Sequence, residues 1–441
     1  MNLRRWLTPG IGVKRWLAVV FLGEFALALA GAFALRQVYR EVEVTGPFQA
    51  GIYLVTLQFL PYWARATALV IAGLALFLYG SFRVVRALLG PFRKSADEPL
   101  VDVVYRKRLL ARGPRVVAIG GGTGLSVLLR GLKERTANLT AIVSVADDGG
   151  STGRLRDQTG IPAVGDIRNC LVALAETEPA MGELLQYRFG RDEGSLSGHA
   201  VGNLLITAMN AIDGDFEEAV RKMNRVLAVR GQVVPATGAA LTLHARLRDG
   251  SEVEGQSRIM RMRGIERVWL EPRDARAARD ALAAIGEADL IVLGPGSLFT
   301  SILAVVLVPE LREAILAAPG IRVYAANVAT QLGETEKMDL AEHVEALLAH
   351  AGSGMVDVVL ANNRFEPGAR DEEGGEPVRL RWPPAISGVP AGPAGPRLVL
   401  EELADPANPH HHDPGRLAAA LVGIFEREGL RNRPPTIARS A

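Results

Sequence analysis

Gly120, Gly121, Gly122 and Gly124, with Thr123 among them, stand where an apolar run passes into a helix-like one. Glycines there allow close approach to the backbone. The start of the following helix offers free N–H groups and a positive dipole end, the chemistry of a phosphate seat. The run is not a Walker A loop, because no Gly-Lys-Ser/Thr follows. It is not a clean G-x-G-x-x-G either, since Leu125 occupies the last glycine's place. A tight strand-to-helix turn with no ligand would use the same residues.

Five more stretches share this character. Asp147 and Asp148 precede Gly149, Gly150, Ser151, Thr152 and Gly153. Paired acids beside a glycine turn fit a hard cation or sugar hydroxyls next to a second backbone cradle. Arg154 and Arg156 can pair with phosphate oxygens. A solvated acidic turn is the plainer reading. Asp166, Arg168 and Asn169 come just before an apolar helix, where Asp166 would also serve as a simple N-cap. Gly198, His199, Gly202 and Asn203 open another helix, as a cleft wall or as ordinary hydrogen-bonders. Gly294 and Gly296 bracket Pro295, with Ser297 and Thr300 beyond, a further anion cradle or nucleoside clamp. Asn327, Thr330, Gln331, Gly333 and Thr335 follow a last apolar run, and amides there can read a sugar or a uracil edge. Each stretch alone is a weak signal. Together, all beyond strand ends or at helix starts, they would line one crevice for a nucleotide-type ligand.

The elements that must position these turns alternate between short apolar runs and helix-like stretches from Arg115 onward, which predicts parallel strands with crossover helices. Strands are expected at Val116–Ile119, Leu139–Val145, Leu290–Leu293, Arg322–Ala326 and Val356–Leu360. Ala240–Ile259 alternates apolar and polar residues around Arg248-Asp249-Gly250 and predicts an antiparallel hairpin. Proline and glycine are dense between Glu366 and His412, which predicts irregular loops. Consecutive His410, His411 and His412 cannot present three ligands on one face of a regular element and are expected in a surface loop. Pro414–Gly429 is a closing helix, and no internal repeat is visible.

The chain has 441 residues, 50 Lys plus Arg against 48 Asp plus Glu, which argues against a general nucleic-acid binder. Its single cysteine, Cys170, excludes an intramolecular disulfide framework and fits a reducing compartment. The first 95 residues are different. Apolar runs at about 16–36 and 55–82 approach the roughly 20 residues that cross a bilayer. Basic residues flank them (Arg4, Arg5, Lys14 and Arg15 before, Arg83, Arg86, Arg93 and Lys94 after). These predict a two-helix transmembrane hairpin with both ends cytoplasmic, a linker over 96–114, and a cytosolic domain over 115–441. A soluble helical hairpin is the alternative.

The ordered stretches "AIGGGTGLSVLLRGLK", "VADDGGSTGRLR", "GDIRNCLVAL", "GHAVGNLL", "ADLIVLGPGSLFTSI" and "NVATQLGETE" resemble the YvcK family of gluconeogenesis factors, relatives of CofD, a 2-phospho-L-lactate transferase. The resemblance runs from about Arg115 to the C-terminus. It implies a Rossmann-like three-layer α/β domain that binds UDP-sugars, chiefly UDP-N-acetylglucosamine. It also implies a role in gluconeogenic growth, cell shape and peptidoglycan synthesis. A UDP-sugar, the membrane, cell-envelope proteins and further copies of the chain are the expected partners. No reaction is implied for this branch and no cofactor is required. In the transferase branch, acids matching Asp148 and Asp166 bind a divalent metal, which here would be Mg²⁺. The sequence departs from the family at Phe299, at Leu303–Val306 and at His411. These positions bear on sugar contacts and on a C-terminal arginine.

Three other readings follow from the same residues. One is a phosphoryl or glycosyl-phosphate transferase using Asp148, Asp166 and Mg²⁺. Another is a nicotinamide-dependent oxidoreductase, which the imperfect glycine fingerprint disfavours. The last is a scaffold whose ligand is incidental.

Overall fold

The computed structural model describes scattered positions between 24 and 80, and then residues 108–176, 179–190, 194–363, 375–383 and 395–431. The chain separates into two compact units, Met1–Leu109 and Leu110–Ala441. The expected spans at 16–36 and 55–82 fall largely outside the described residues. Among the described residues no helix is long and apolar enough to cross a membrane. That finding corrects the expectation of a transmembrane hairpin and of a cell-membrane location. Apolar composition alone was a poor guide, because a span needs about 20 residues of uninterrupted helix.

The second unit alternates strand and helix. Strand β1 (Val116–Gly120) leads into α1 (Gly122–Leu132), and β2 (Leu139–Val143) into α2 (Gly150–Thr159) and α3 (Gly165–Leu174). Helices α4 (Pro179–Gln186), α5 (Val201–Asp213) and α6 (Phe216–Val226) bring the chain to β3 (Gln232–Pro235). Then come β4 (Thr242–Leu247), β5 (Glu252–Glu254), the short α7 (Gln256–Ile259) and β6 (Ile265–Glu271). Helix α8 (Arg279–Glu287) returns to β7 (Leu290–Leu293). A π-helical turn (Leu298–Ile302), α9 (Leu303–Val306) and α10 (Pro309–Ala317) precede β8 (Ile321–Ala325). Helix α11 (Leu340–Ala351), β9 (Val358–Asn362), β10 (Arg397–Glu401) and α12 (Pro414–Arg431) complete the unit.

Seven strands form one sheet in the order β10-β9-β8-β7-β1-β2-β3, every neighbouring pair parallel. β1, β2, β7 and β9 are buried along their whole length. That is why they read as unbroken apolar runs: a parallel sheet is covered on both faces. Right-handed crossovers carry the chain one way from β1 to β2 and the other way from β7 to β8, so the connecting helices lie on opposite faces. The order reverses between β1 and β7. Their loops leave the sheet side by side, at the place where open α/β sheets bind ligands.

The five expected strands are all present, shifted by at most two residues at an end. Leu290–Leu293 matches as predicted. The hairpin turns where expected, with the Gly250 N–H donating to Leu247 O at 2.9 Å and Asp249 Oδ1 accepting from the Ser251 N–H at 2.9 Å. Sequence reading missed β3, β6 and β10. The hairpin is therefore a three-stranded sheet, β5-β4-β6. The stretch 366–412 holds a real strand, β10, at the sheet edge. His412 is buried, with Nε2 3.1 Å from Ala326 O, rather than on a surface loop.

Candidate functional site

The β1 turn is held by contact with three neighbours. Gly122 takes φ +67°, a left-handed conformation that favours glycine. A Cβ on Gly124 would lie 2.8 Å from the Pro295 carbonyl oxygen, so the β1 and β7 loops touch directly at the reversal of strand order. A Cβ on Gly121 would overlap the Asp166 carboxylate and approach Ser301 Oγ. No side chain caps the N-terminus of α1 at Gly121.

Asp166 lies in the first turn of α3 and is not its N-cap; that position belongs to Val164. Its carboxylate accepts the Gly122 N–H instead. Burial, and then the neighbouring Asp147, push its pKa up to about 7, against that hydrogen bond and the Arg168 charge. Asp147 accepts the Gly149 N–H at 2.9 Å and a bond from Thr152. Its pKa is raised too, chiefly by burial. Structure thus pairs Asp147 with Asp166. Asp148 goes elsewhere: its Oδ1 accepts the Ser257 N–H at 2.8 Å and the Ser257 hydroxyl at 2.6 Å, fastening the β2 loop to α7. Arg156 adds a second tie, Nη2 to Thr242 Oγ1 at 2.7 Å.

Beyond the carboxylates lies a cationic group of residues. Arg168 is 5% exposed, and among the described residues its Nε and Nη1 have no hydrogen-bond partner. Its Nη2 donates to Asn169 Oδ1 at 2.8 Å. Burial, and then the nearby Arg188, lower its pKa to about 10. Arg188 Nη1 reaches Gly198 O at 3.2 Å and Ser151 Oγ at 3.4 Å. Asn203 Nδ2 also reaches Ser151 Oγ at 3.4 Å, while Asn203 Oδ1 is unpaired. His199, 4% exposed, has an unpaired Nδ1, and its pKa is lowered by burial and then by Arg154. Arg154 donates to Ser197 O and stands by Gly198. Gly150 and Ser151 open α2, whose N-terminus has no side-chain cap.

The β7 loop contrasts with this. Asn327 locks it reciprocally, Oδ1 accepting the Gly296 N–H at 3.0 Å and Nδ2 donating to Gly296 O at 2.9 Å. Gln331 Nε2 donates to Ser297 Oγ at 2.9 Å. Thr330 exchanges bonds with the Glu376 backbone. The N–H groups of Phe299 and Thr300 donate to Glu334 at 2.7 and 3.1 Å, and the Thr300 hydroxyl donates to it at 3.0 Å. The helix start that the sequence offers to a phosphate is therefore filled by a buried carboxylate of the chain itself. Sequence reading missed Glu334, Arg188 and Ser257. Nothing in their local context sets them apart from ordinary surface polar residues.

A groove of about 550 Å³ lies at the opposite rim of the sheet, by the N-terminal ends of β1, β2 and β3, among Arg115, Thr140, Arg221, Gln232 and Asp280. Its charges are answered internally: Arg115 pairs with Asp289, Arg221 with Asp280, and Gln232 with Thr140. It offers a ligand little that is unsatisfied.

Comparison with known proteins bears on the same unit. The family model described as 2-phospho-L-lactate transferase CofD matches residues 116–380. A protein of Nostoc sp. that carries the gluconeogenesis-factor name is 41% identical over 430 residues, 95% of this chain and 91% of that one. The gluconeogenesis factor of Bacillus subtilis is 49% identical over 259 residues, 58% of this chain and 81% of that one. The crystal structure of a Bacillus halodurans protein matches with a TM-score of 0.65 and 41% identity, covering 70% of this chain and all of that one.

Proposed function

Because the chain belongs to the CofD family and, within it, to the gluconeogenesis factors, we propose that it is a nucleotide-sugar-binding regulator with a UDP-N-acetylglucosamine-type ligand. It would link central carbon metabolism to cell-envelope synthesis and cell shape. The observation that carries the reading is the contact between the β1 and β7 loops at the reversal of strand order, made possible by glycine at 124. A diphosphate lying on the start of α1, where Asp166 accepts only the Gly122 N–H, would meet the remaining N–H groups and a positive helix end. Gly120–Gly124 is its seat in this proposal. The β7 loop forms the wall, since Glu334 already takes the N–H groups of its helix.

Calorimetry of the full chain against UDP-N-acetylglucosamine tests the proposal. Saturable heat and a raised unfolding midpoint are expected. No heat and no shift at millimolar ligand would reject it.

The Asp147–Asp166 pair favours a second reading, a phosphoryl or glycosyl-phosphate transferase. Among the described residues no group of three or more His, Cys, Asp or Glu could hold a metal ion alone. A hard cation such as Mg²⁺ commonly uses one or two carboxylates plus substrate phosphate and water, so this pair fits it. Asp147 and Asp166 would hold the ion. Asp148, committed to Ser257, would position the loop. Bound Mg²⁺ would neutralise charge on transferring phosphate oxygens. With Asp166 near neutral pH in its titration, the pair can also hold a proton until an ion displaces it. Turnover lost in Asp166→Asn while UDP-sugar binding persists would favour this reading. Absence of turnover with any acceptor would leave the regulator.

A further inference from the structure

The inference drawn here rests on the nucleotide-sugar reading and concerns the far end of the same crevice. A guanidinium at 5% exposure has surrendered most of its hydration. The described residues give Arg168 one hydrogen bond, to the neutral amide of the next residue. A second guanidinium, Arg188, shares the corner, its Nη1 3.4 Å from the same Ser151 Oγ that Asn203 reaches. Burying an uncompensated cation is costly, and a neighbouring cation adds to that cost. Asp166 and Asp147 relieve this only at a distance, because no ion pair joins Arg168 to either among the described residues. The chain elsewhere shows what a structural arginine looks like: Arg322 donates three bonds to Asp357, through its backbone N–H, Nε and Nη2.

Two other groups restrict what can answer Arg168. Asn203 Oδ1 is buried with no donor, and His199 Nδ1 is buried with no partner. A bare oxyanion would satisfy Arg168 but offers nothing to Asn203 Oδ1. The missing group must therefore accept from guanidinium and also donate from a hydroxyl. Ser151, at the uncapped start of α2, adds a hydroxyl and a favourable helix end.

We propose that Ser151, Arg154, Arg168, Arg188, His199 and Asn203 form an anion subsite, across the Asp147–Asp166 pair from the diphosphate seat, that takes a hydroxylated carboxylate or phosphate. That chemistry has two sources: an acidic sugar on the nucleotide itself, such as a uronate, or a separate small sugar acid or sugar phosphate bound beside it. In either case Arg168 reads the charge and Asn203 the hydroxyl. The subsite then makes the protein sensitive to the oxidation or phosphorylation state of the sugar, and not only to the nucleotide.

Titration calorimetry on the full chain separates these cases, with UDP, UDP-glucose, UDP-glucuronate, and free glucuronate added to UDP-saturated protein. For an acidic nucleotide sugar, UDP-glucuronate binds at least about tenfold tighter than UDP-glucose, roughly one charge-assisted contact. Arg168→Gln erases that ratio and leaves UDP within about threefold of its original affinity. For a separate small acid, free glucuronate binds the UDP complex, and Arg168→Gln abolishes that binding. Arg168→Lys keeps the charge and recovers part of either signal, and circular dichroism of both variants confirms folding. Equal affinity for the two UDP-sugars with no uptake of free glucuronate overturns the subsite. So does an equal loss of UDP itself in Arg168→Gln, which would assign Arg168 to the diphosphate seat. If UDP fails to bind the unaltered protein, the nucleotide reading falls by itself. Thermal shifts with glucuronate and with inorganic phosphate, compared between the protein and Arg168→Gln, still decide the subsite.

Discussion

Two glycine-rich corners sit at the same rim of the sheet and differ in one respect. Around β7 and β8, the loop N–H groups find partners within the chain: Gly296 with Asn327, the π-turn N–H groups with Glu334, Thr330 with Glu376, while the Gln331 Oε1 and the Tyr324 hydroxyl are isolated atoms without a partner among the described residues. Around β1 and β2, buried donors and acceptors at Arg168, Asn203 and His199 have none among the described residues. Desolvated polar groups normally find partners, so an orphan cluster marks where something outside the chain completes the structure. Glycine turns and helix starts occur in both corners. Only the accounting of hydrogen bonds tells a ligand wall from a ligand seat.

The largest test of that contrast is Glu334→Ala. It strands two backbone N–H groups and a hydroxyl in a buried place, and should cost about 3–5 kcal/mol of stability. Denaturant unfolding measures the loss, and UDP affinity of the folded fraction should hold. The contrast breaks if stability is unchanged and binding disappears.

The pH response comes next. Asp166 has its folded pKa raised to about 7 from 3.8. The native state therefore holds more protons than the unfolded chain between those values, and stability falls as pH rises through that window. Asp166→Asn should remove a slope worth up to a few kcal/mol and be more stable than the parent at pH 8. His412, in the satisfied corner, has its pKa lowered by burial from 6.5 to about 4. Its sign is opposite, with stability rising as pH rises from about 4 to 6.5 and lost as pH falls. Unfolding midpoints across pH 4–8 for Asp166→Asn and His412→Gln should flatten opposite components. Parallel changes would refute the assignment.

Asn327→Ala removes two reciprocal bonds to Gly296 and should cost about 1–2 kcal/mol, loosening the wall with a smaller effect on UDP. Ser257→Ala leaves Asp148 one backbone donor and should cost about 1 kcal/mol or less, readable as a modest fall in midpoint. If Ser257→Ala instead removes ligand binding, the tie from α7 to the β2 loop belongs to the seat and not to its support.

Much of the fold was legible because parallel strands buried on both faces leave an unmistakable trace: β1, β2 and β7 are short apolar runs bounded by polar turns. β3 and β10 were not: β3 is only four residues long and ends in a proline, and β10, at the other sheet edge, is only partly buried, which weakens its apolar signal. Apolar content alone overstated the first unit, whose described residues contain no helix fit to cross a membrane. The site was legible as a set of turns. Its internal division was not, for Asp147 and Asp148 are adjacent and alike in sequence. Asp147 faces the crevice partners Gly149 and Thr152, and Asp148 faces Ser257, 109 residues away.

By itself the sequence determined where backbone could turn sharply, which strands would be buried and that their loops would gather at one rim. These are local properties, set by glycine conformations and by apolar periodicity. Tertiary structure decided which of those loops would be closed by the chain's own side chains. Glu334 reaches the π-turn from 34 residues away, whereas no described acid reaches Arg168. Burial and partnership are relations between distant residues, and a residue's type carries no record of the partner it will meet.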